Sequence, residues 1–224
     1  MKLYMHPVST MCRPIMQYLA DNNIACDMEM VDILKGAHYE AKYSGINPNR
    51  MVPMLEDGDF RLTEAAAILR YLAEKSNSPT YPKDLKQRAK VNEVMDWFNS
   101  NLYRDWGYGI VYPQLFPHHK RESDAAHTGA INWGKEKSKV WVQALNDHWI
   151  GNKPYLCGNQ ITIADYFGSG IMSIGDLIHC DWAKYPNIQR WLGNMKKTPN
   201  YEKVNDQAFN GFAASTKGKA WATV

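Results

Sequence analysis

Within the six residues "STMCRP", Ser9 to Pro14, the chain places two hydroxyls and a thiol directly after a short apolar opening. A cysteine thiol with a pKa of about 8.5 is only a few per cent ionised at neutral pH. Cys12 would therefore need a lowered pKa to act as a nucleophile, and at the start of the following helix it reads first as a small buried hydrophobe. A hydroxyl acts more simply: donating a hydrogen bond to an anion favours the ionised form, and about 1.4 kcal/mol of such preference is worth one pKa unit. Elsewhere Lys35 and His38 share a loop, Glu64 opens a second helix beside Ala65, and Arg104 sits among Tyr103, Trp106, Tyr108 and Tyr112 in "NLYRDWGYGIVYP". His118 and His119 are adjacent in a Pro-flanked loop, a poor spacing for a metal, and read as surface. Cys12, Cys26, Cys157 and Cys180 contain no C-x-x-C pair, so neither a zinc knuckle nor a disulfide framework is suggested and reduced thiols fit best.

The elements that must position these groups change character along the chain. Lys2 to Met5 is strand-like, and Cys12 to Asn23 is helical with Ile15 and Leu19 on one face. Cys26, Met28 and Met30 alternate with charged neighbours as in a half-buried strand. Val52 to Leu55 and Phe60 to Thr63 flank Asp57-Gly58, a hairpin signal. Thr63 is the expected N-cap of a helix from Glu64 to about Lys75, striped by Ile68, Leu69 and Leu72. The order β-α-β, then β-β-α, is the pattern of a thioredoxin-like α/β domain. "EKSNSPTYPKD", Glu74 to Asp84, carries no period and reads as a linker. Helical patterns then take over, from about Lys86 to Asn101 and from about Asn132 to Trp149, where Trp141, Leu145 and Trp149 recur every four residues. Thr162 and Asp165 form a Thr-x-x-Asp capping box at the start of a helix that carries Phe167, Ile171 and Ile174 inward. The second domain is expected to be all-α.

With 224 residues, 45% hydrophobic and 22% charged, the chain can bury a sizeable core, to which most of its eight Trp should belong. A net charge of +3 without a block of like charges argues against nucleic acid or a membrane surface as partner. No leader pattern and no run of 18 apolar residues is visible, so a cytoplasmic location is the default expectation.

Taken in order, these pieces resemble a cytosolic glutathione transferase, most closely of the theta and delta classes. "KLYMHPVSTMCRP" is similar to their first strand and helix, "VDILKGAHYE" to a Lys-Gly-x-His loop, and "INPNRMVPMLEDGDFRLTEAAAILRYL" to the ligand-binding half. "YPKDLKQRAKVNEVMDWFNSNLYR" resembles their domain crossing and "CGNQITIADY" the folding signature of their second domain. The resemblance implies a glutathione transferase fold with a thioredoxin-like domain over residues 1–76, a linker over 77–87 and a helical domain over 88–224. It further implies glutathione as co-substrate, no metal, a homodimer, and transfer of the thiolate to small hydrophobic electrophiles: alkyl or aryl halides, epoxides and, as a further class, hydroperoxides.

By the same resemblance Ser9, three residues before Cys12-Arg13, is the thiolate donor. Thr10 is its rival, since the beta class places a catalytic Cys one residue further on. Val52-Pro53 matches a cis-proline turn whose Val52 backbone holds the cysteinyl part of glutathione. Glu64 matches the acid at its γ-glutamyl end, and His38, with Lys35 nearby, matches the glycyl end. Two positions depart from the pattern: Ala65 replaces a usual Ser, and Met51 a frequent Lys. Tyr103, Trp106, Tyr108 and Tyr112 are assigned to the electrophile site. Arg104 falls near an Arg that some theta enzymes aim at the thiolate, with an exposed ion-pairing Arg as the competing reading. The tail, with Phe209, Phe212 and Trp221, reads as a lid or, preferably, a frayed terminus. A non-catalytic binding protein of the same fold, or a glutathione-dependent dehalogenase or etherase, are the alternatives.

Overall fold

The computed structural model describes the backbone of residues 1–224 and all side chains except those of 207, 208, 210, 211 and 213–215. A four-stranded sheet forms from β1 (Lys2–Met5), β2 (Asp27–Met30), β3 (Met54–Asp57) and β4 (Phe60–Thr63) in the order β2-β1-β3-β4. β1 and β2 run parallel with Leu3 opposite Met28, joined over α1 (Cys12–Asp21); β3 is antiparallel to β1, with Leu3 opposite Leu55. Asp57-Gly58 turns β3 into β4, with Gly58 at φ 65°. Leu3, Leu55, Ile15 and Leu19 close the core between the sheet, α1 and α3 (Ala65–Lys75).

Two local expectations change. Met28 and Met30 are exposed: Met28 shares the sheet face of its neighbour Leu3, but β2 is the edge strand and leaves both methionines uncovered. Thr63 remains in β4, paired with Met54, and Glu64 instead stands between strand and helix at φ 66°. A left-handed φ costs a non-glycine residue about 1–3 kcal/mol.

Helices make up the rest. After α2 (Ala41–Ser44) in the first half, α4 (Leu85–Trp97) starts at Asp84, whose carboxylate accepts the Gln87 N–H, and buries Val91, Val94 and Met95. It runs on through a π-helical turn at Phe98–Leu102, α5 (Tyr103–Trp106), a second π turn at Gly107–Val111 and α6 (Tyr112–Leu115). α7 (Asp124–Ala144) starts earlier than the apolar period suggests, because Ser123 caps it by accepting the Ala126 N–H and its first two turns are largely exposed. Beyond those turns its inward face is Gly134, Ser138 and Val142, and the glycine is required: a Cβ on Gly134 would lie 2.5 Å from the Gly109 carbonyl oxygen. The Thr162/Asp165 capping box opens α8 (Ile163–Met172). Asp165 is fully buried and its carboxylate accepts bonds from the Leu156 N–H, the Thr162 N–H and hydroxyl, and the Trp191 indole, four donors that oppose the upward push of burial on its pKa. α9 (Pro186–Met195) and α10 (Tyr201–Thr216) complete the chain.

Of the tryptophans, Trp106, Trp182 and Trp191 are buried and Trp133 is exposed. Trp97, Trp141, Trp149 and Trp221 pack part-buried against the core. Among the described residues no helix is long and apolar enough to cross a membrane.

The halves are bolted together by α1. Pro14 packs where a side chain on Gly170 of α8 would sit. Along one face, Arg13 reaches Ser173 and Asn205, Gln17 reaches Thr198 at 2.7 Å, and Asp21 accepts two bonds from Asn200 at 2.9 Å. Spaced four apart, these three polar residues fix how α1, and the loop before it, face the helical half.

Candidate active site

A cavity of about 820 Å³ opens between the halves, lined by both. Its first wall starts in the loop between β1 and α1. His6 is buried, and its Nδ1 accepts the Val8 N–H at 3.2 Å, which holds the loop. Ser9 and Thr10 both line the cavity but serve differently. Ser9 Oγ accepts the Cys12 N–H at 3.3 Å, so it caps the start of α1 while its proton stays free to donate. Thr10 is buried and its Oγ1 accepts the Tyr112 hydroxyl at 2.7 Å. Cys12 lies outside the lining, fully buried, with its thiol pushed up to about 11 by burial. Such a thiol is a packing group at neutral pH.

The rest of this wall is backbone-rich. The Val52-Pro53 bond is cis, and among the described residues no protein group takes up the Val52 N–H or carbonyl. Glu64, Ala65 and Ala66 bring the N-terminus of α3 to the cavity, where helix N–H groups attract an anion. Ala65 supplies no side-chain donor there. Met51 is exposed on the lining, and the residue before it, Arg50, also lines the cavity with its backbone at φ 53°. Buried Asn47 shapes that turn: its amide donates to the Met51 carbonyl at 2.8 Å, accepts the Asn49 N–H, and its carbonyl accepts the Arg50 N–H. Arg50 was not among the expected site residues; its signal is the Asn-Pro-Asn-Arg turn directly before Met51.

Lys35 is not on the lining. Its side chain is exposed and pairs with Asp32 at 3.2 Å, because the 3-10 turn Ile33–Lys35 points it to solvent. His38 lines the cavity, with its Nδ1 buried and without a hydrogen-bond partner among the described groups, and burial lowers its pKa. His118, exposed as expected, and His119, half-buried, also line this cavity: their rings lie 4.5 Å apart, the His118 ring stacks on Phe116, and His118 is close enough to His38 to lower its pKa further. Among the described residues no group of three His, Cys, Asp or Glu could hold a metal ion.

The second wall is aromatic. Tyr103 and Tyr108 are five apart, which in a regular α-helix separates two side chains by about 140°. The π turn at Gly107–Val111 widens the spiral there, and the rings come within 5.2 Å of each other, with Tyr112 6.0 Å from Tyr103. The close Gly109–Gly134 crossing lets that turn press on α7. Trp106 is the exception among the expected residues: it points into the helical core, fully buried, 5.6 Å from the Trp182 ring. Two residues before Tyr108, and so roughly 200° around the helix from it, Trp106 takes the face opposite that ring. Arg104 lines the cavity edge but is clamped by Asp105, with two bonds of 2.8 Å. That pairing holds the Asp105 carboxyl below its usual range; the Trp141 indole also donates to it.

From α10, Phe212 reaches the cavity beside Phe116, 5.9 Å between rings. The final segment is neither on the lining nor loose: Gln114 holds Ala222 through two bonds of 2.8 and 3.1 Å, and Trp221 and Val224 pack on the core.

Comparison with known proteins is decisive on family. Residues 1–74 match the glutathione S-transferase N-terminal domain and residues 134–199 the glutathione S-transferase C-terminal domain. Human glutathione S-transferase theta-1 is 34% identical over 181 residues, covering 80% of this chain and 72% of the relative. The chain belongs to the glutathione S-transferase family. Within that family it is also similar to dichloromethane dehalogenase of Methylophilus leisingeri, at 28% identity over 85% of this chain and 73% of the relative. The solved structure of human glutathione-S-transferase T1-1 in its apo form superposes with a TM-score of 0.84 at 26% identity, covering 98% of this chain and 92% of the other. Its thioredoxin-like first half and helical second half are thus the family's architecture.

Proposed function

We propose that the protein is a glutathione transferase that conjugates the glutathione thiolate to small hydrophobic electrophiles. The observation that carries this is one cavity with a polar, backbone-donating wall, with Ser9, Val52 and Glu64, facing an aromatic wall of Tyr103, Tyr108 and Tyr112; in this reading the first wall belongs to a domain over 1–76 and the second to one over 88–224. Ser9 donates to the thiolate. The Val52 N–H and carbonyl align the cysteinyl part, Glu64 and the α3 N-terminus receive the γ-glutamyl end, and His38 receives the glycyl end. Arg50, unforeseen in the sequence, supplies the cation that Lys35 does not. Tyr103, Tyr108 and Tyr112 bound the electrophile, and Arg104 lies at its edge. The protein acts in the cytoplasm as a homodimer that pairs the first domain of one chain with the second of its twin.

Glutathione binding and turnover of a panel of alkyl and aryl halides, epoxides and hydroperoxides test the reading. Turnover of at least one class, lost on Ser9→Ala while binding persists, is the expected result. Ala65 and Met51, which thin the polar contacts of the first wall, favour a second reading as a binding protein without turnover. Binding with no conversion across the panel would establish that one instead. Preference for dihalomethanes would narrow the function to dehalogenation, in keeping with the similarity to dichloromethane dehalogenase.

A further inference from the structure

A chain of hydroxyls crosses from the helical half to the loop that carries Ser9. Tyr103 and Tyr112 have their phenol oxygens 2.6 Å apart, and the Tyr112 hydroxyl donates to Thr10 Oγ1 at 2.7 Å. Each hydroxyl owns one proton. Tyr112, having given its proton to Thr10, must receive the one from Tyr103, and Thr10 then keeps its own with no acceptor among the described residues. Thr10 lies on the cavity wall, so three O–H bonds run in one direction and end at the cavity.

The surroundings favour negative charge at that end. Burial raises the pKa of both tyrosines, which therefore remain proton donors at neutral pH. Close to them lies Arg13, 1% exposed. Its guanidinium bonds to the neutral groups of Ser173 and Asn205 at 2.8 and 2.6 Å and sits 4.8 Å from the Phe209 ring, while its Nε has no partner among the described groups. A buried positive charge that bonds directly only to neutral groups, and is offset in part by the Asp176 carboxylate, lends its remaining field to an anion that approaches.

We propose that Thr10 is a second hydrogen-bond donor to the glutathione thiolate, and that Tyr112 and Tyr103 act through it, as positioning residues reaching across the domain boundary to strengthen that bond. The inference rests on the glutathione reading of the cavity. A hydroxyl that accepts a short hydrogen bond is polarised into a better donor, whereas Ser9 accepts only the longer bond from Cys12. The thiol proton leaves to solvent and every hydroxyl keeps its own, so no further base is required.

The test is the thiol pKa of bound glutathione, read from thiolate absorbance against pH without electrophile, alongside the affinity for S-methylglutathione, which has no ionisable thiol. Thr10→Val is expected to raise the bound thiol pKa by about one unit and Tyr112→Phe by about half a unit. Thr10→Ser should keep the wild-type value. The double variant should go no higher than Thr10→Val alone, because Tyr112 acts through Thr10. S-methylglutathione should bind all of them like wild type. An unmoved pKa in Tyr112→Phe, additive effects in the double variant, or a matching loss of S-methylglutathione affinity would each overturn the inference while leaving the glutathione reading intact. A wild type that binds neither compound would overturn both.

Discussion

The two walls of the cavity are built on different principles. The first is local: the cis Val52-Pro53 turn, the Glu64 bend at φ 66° and the capped start of α1 each arise within a few residues. The second depends on distant partners, for the tyrosines share a face only because a π turn interrupts the helix and two glycines let α7 approach. A wall of turns and helix ends tolerates change piecemeal and loses contacts one at a time. A wall of packed aromatics stands or falls with the crossing behind it.

The sharpest way to break that contrast is Gly134→Val. Its Cβ would meet the Gly109 carbonyl at 2.5 Å, so the backbones must part; a loss of about 3 kcal/mol in urea unfolding is expected, with conversion of electrophiles falling while the residual folded protein still binds glutathione. Equal loss of glutathione affinity in that fraction would show that the walls are not separable. Ser9→Ala should next lower turnover near neutral pH about 100-fold, the lower end for removing one donor to a reactive anion, at unchanged glutathione affinity. If turnover stays at the wild-type level, Ser9 is only the cap of α1.

In the opposite direction, Ala65→Ser returns a hydroxyl to the α3 N-terminus. One added bond to a carboxylate should tighten glutathione about tenfold by calorimetry, and no gain would mean that the backbone N–H groups already saturate that end.

The smallest effect concerns the loop under Ser9. The bond from the Val8 N–H requires His6 Nδ1 unprotonated, and burial lowers the His6 pKa from 6.5 against the pull of Asp32. The unfolded chain therefore takes up its proton first as pH falls. This contribution is fully present above about pH 6.5 and is lost from there down to the folded-state pKa. His6→Asn, whose amide oxygen can still take the Val8 N–H, should flatten the slope of the urea midpoint between pH 7.5 and 5; identical slopes would remove His6 as the cause.

What could be read in advance follows the same division. The Asp57-Gly58 hairpin, the Thr162/Asp165 box and the apolar stripes of α1, α3 and α4 were legible because each is coded by a few adjacent residues. Trp106 was misplaced among the cavity aromatics because composition marks an aromatic cluster without saying which face each ring takes. Lys35 and Met28 were misjudged because loop direction and edge position are properties of the assembled sheet. That His118 and His119 line the cavity was not legible because the loop across from them, with His38, lies far away in the chain.

By itself, then, the sequence determined the order of elements, most of their caps and turns, and the family, since these rest on short-range geometry and hydrogen bonding. Only the tertiary structure decided the rest. Thr10 meets Tyr112 across 102 positions, and Arg13 meets Ser173 and Asn205 across 160 and 192. Such contacts depend on how whole helices pack, and no local pattern encodes which buried hydroxyl will find which.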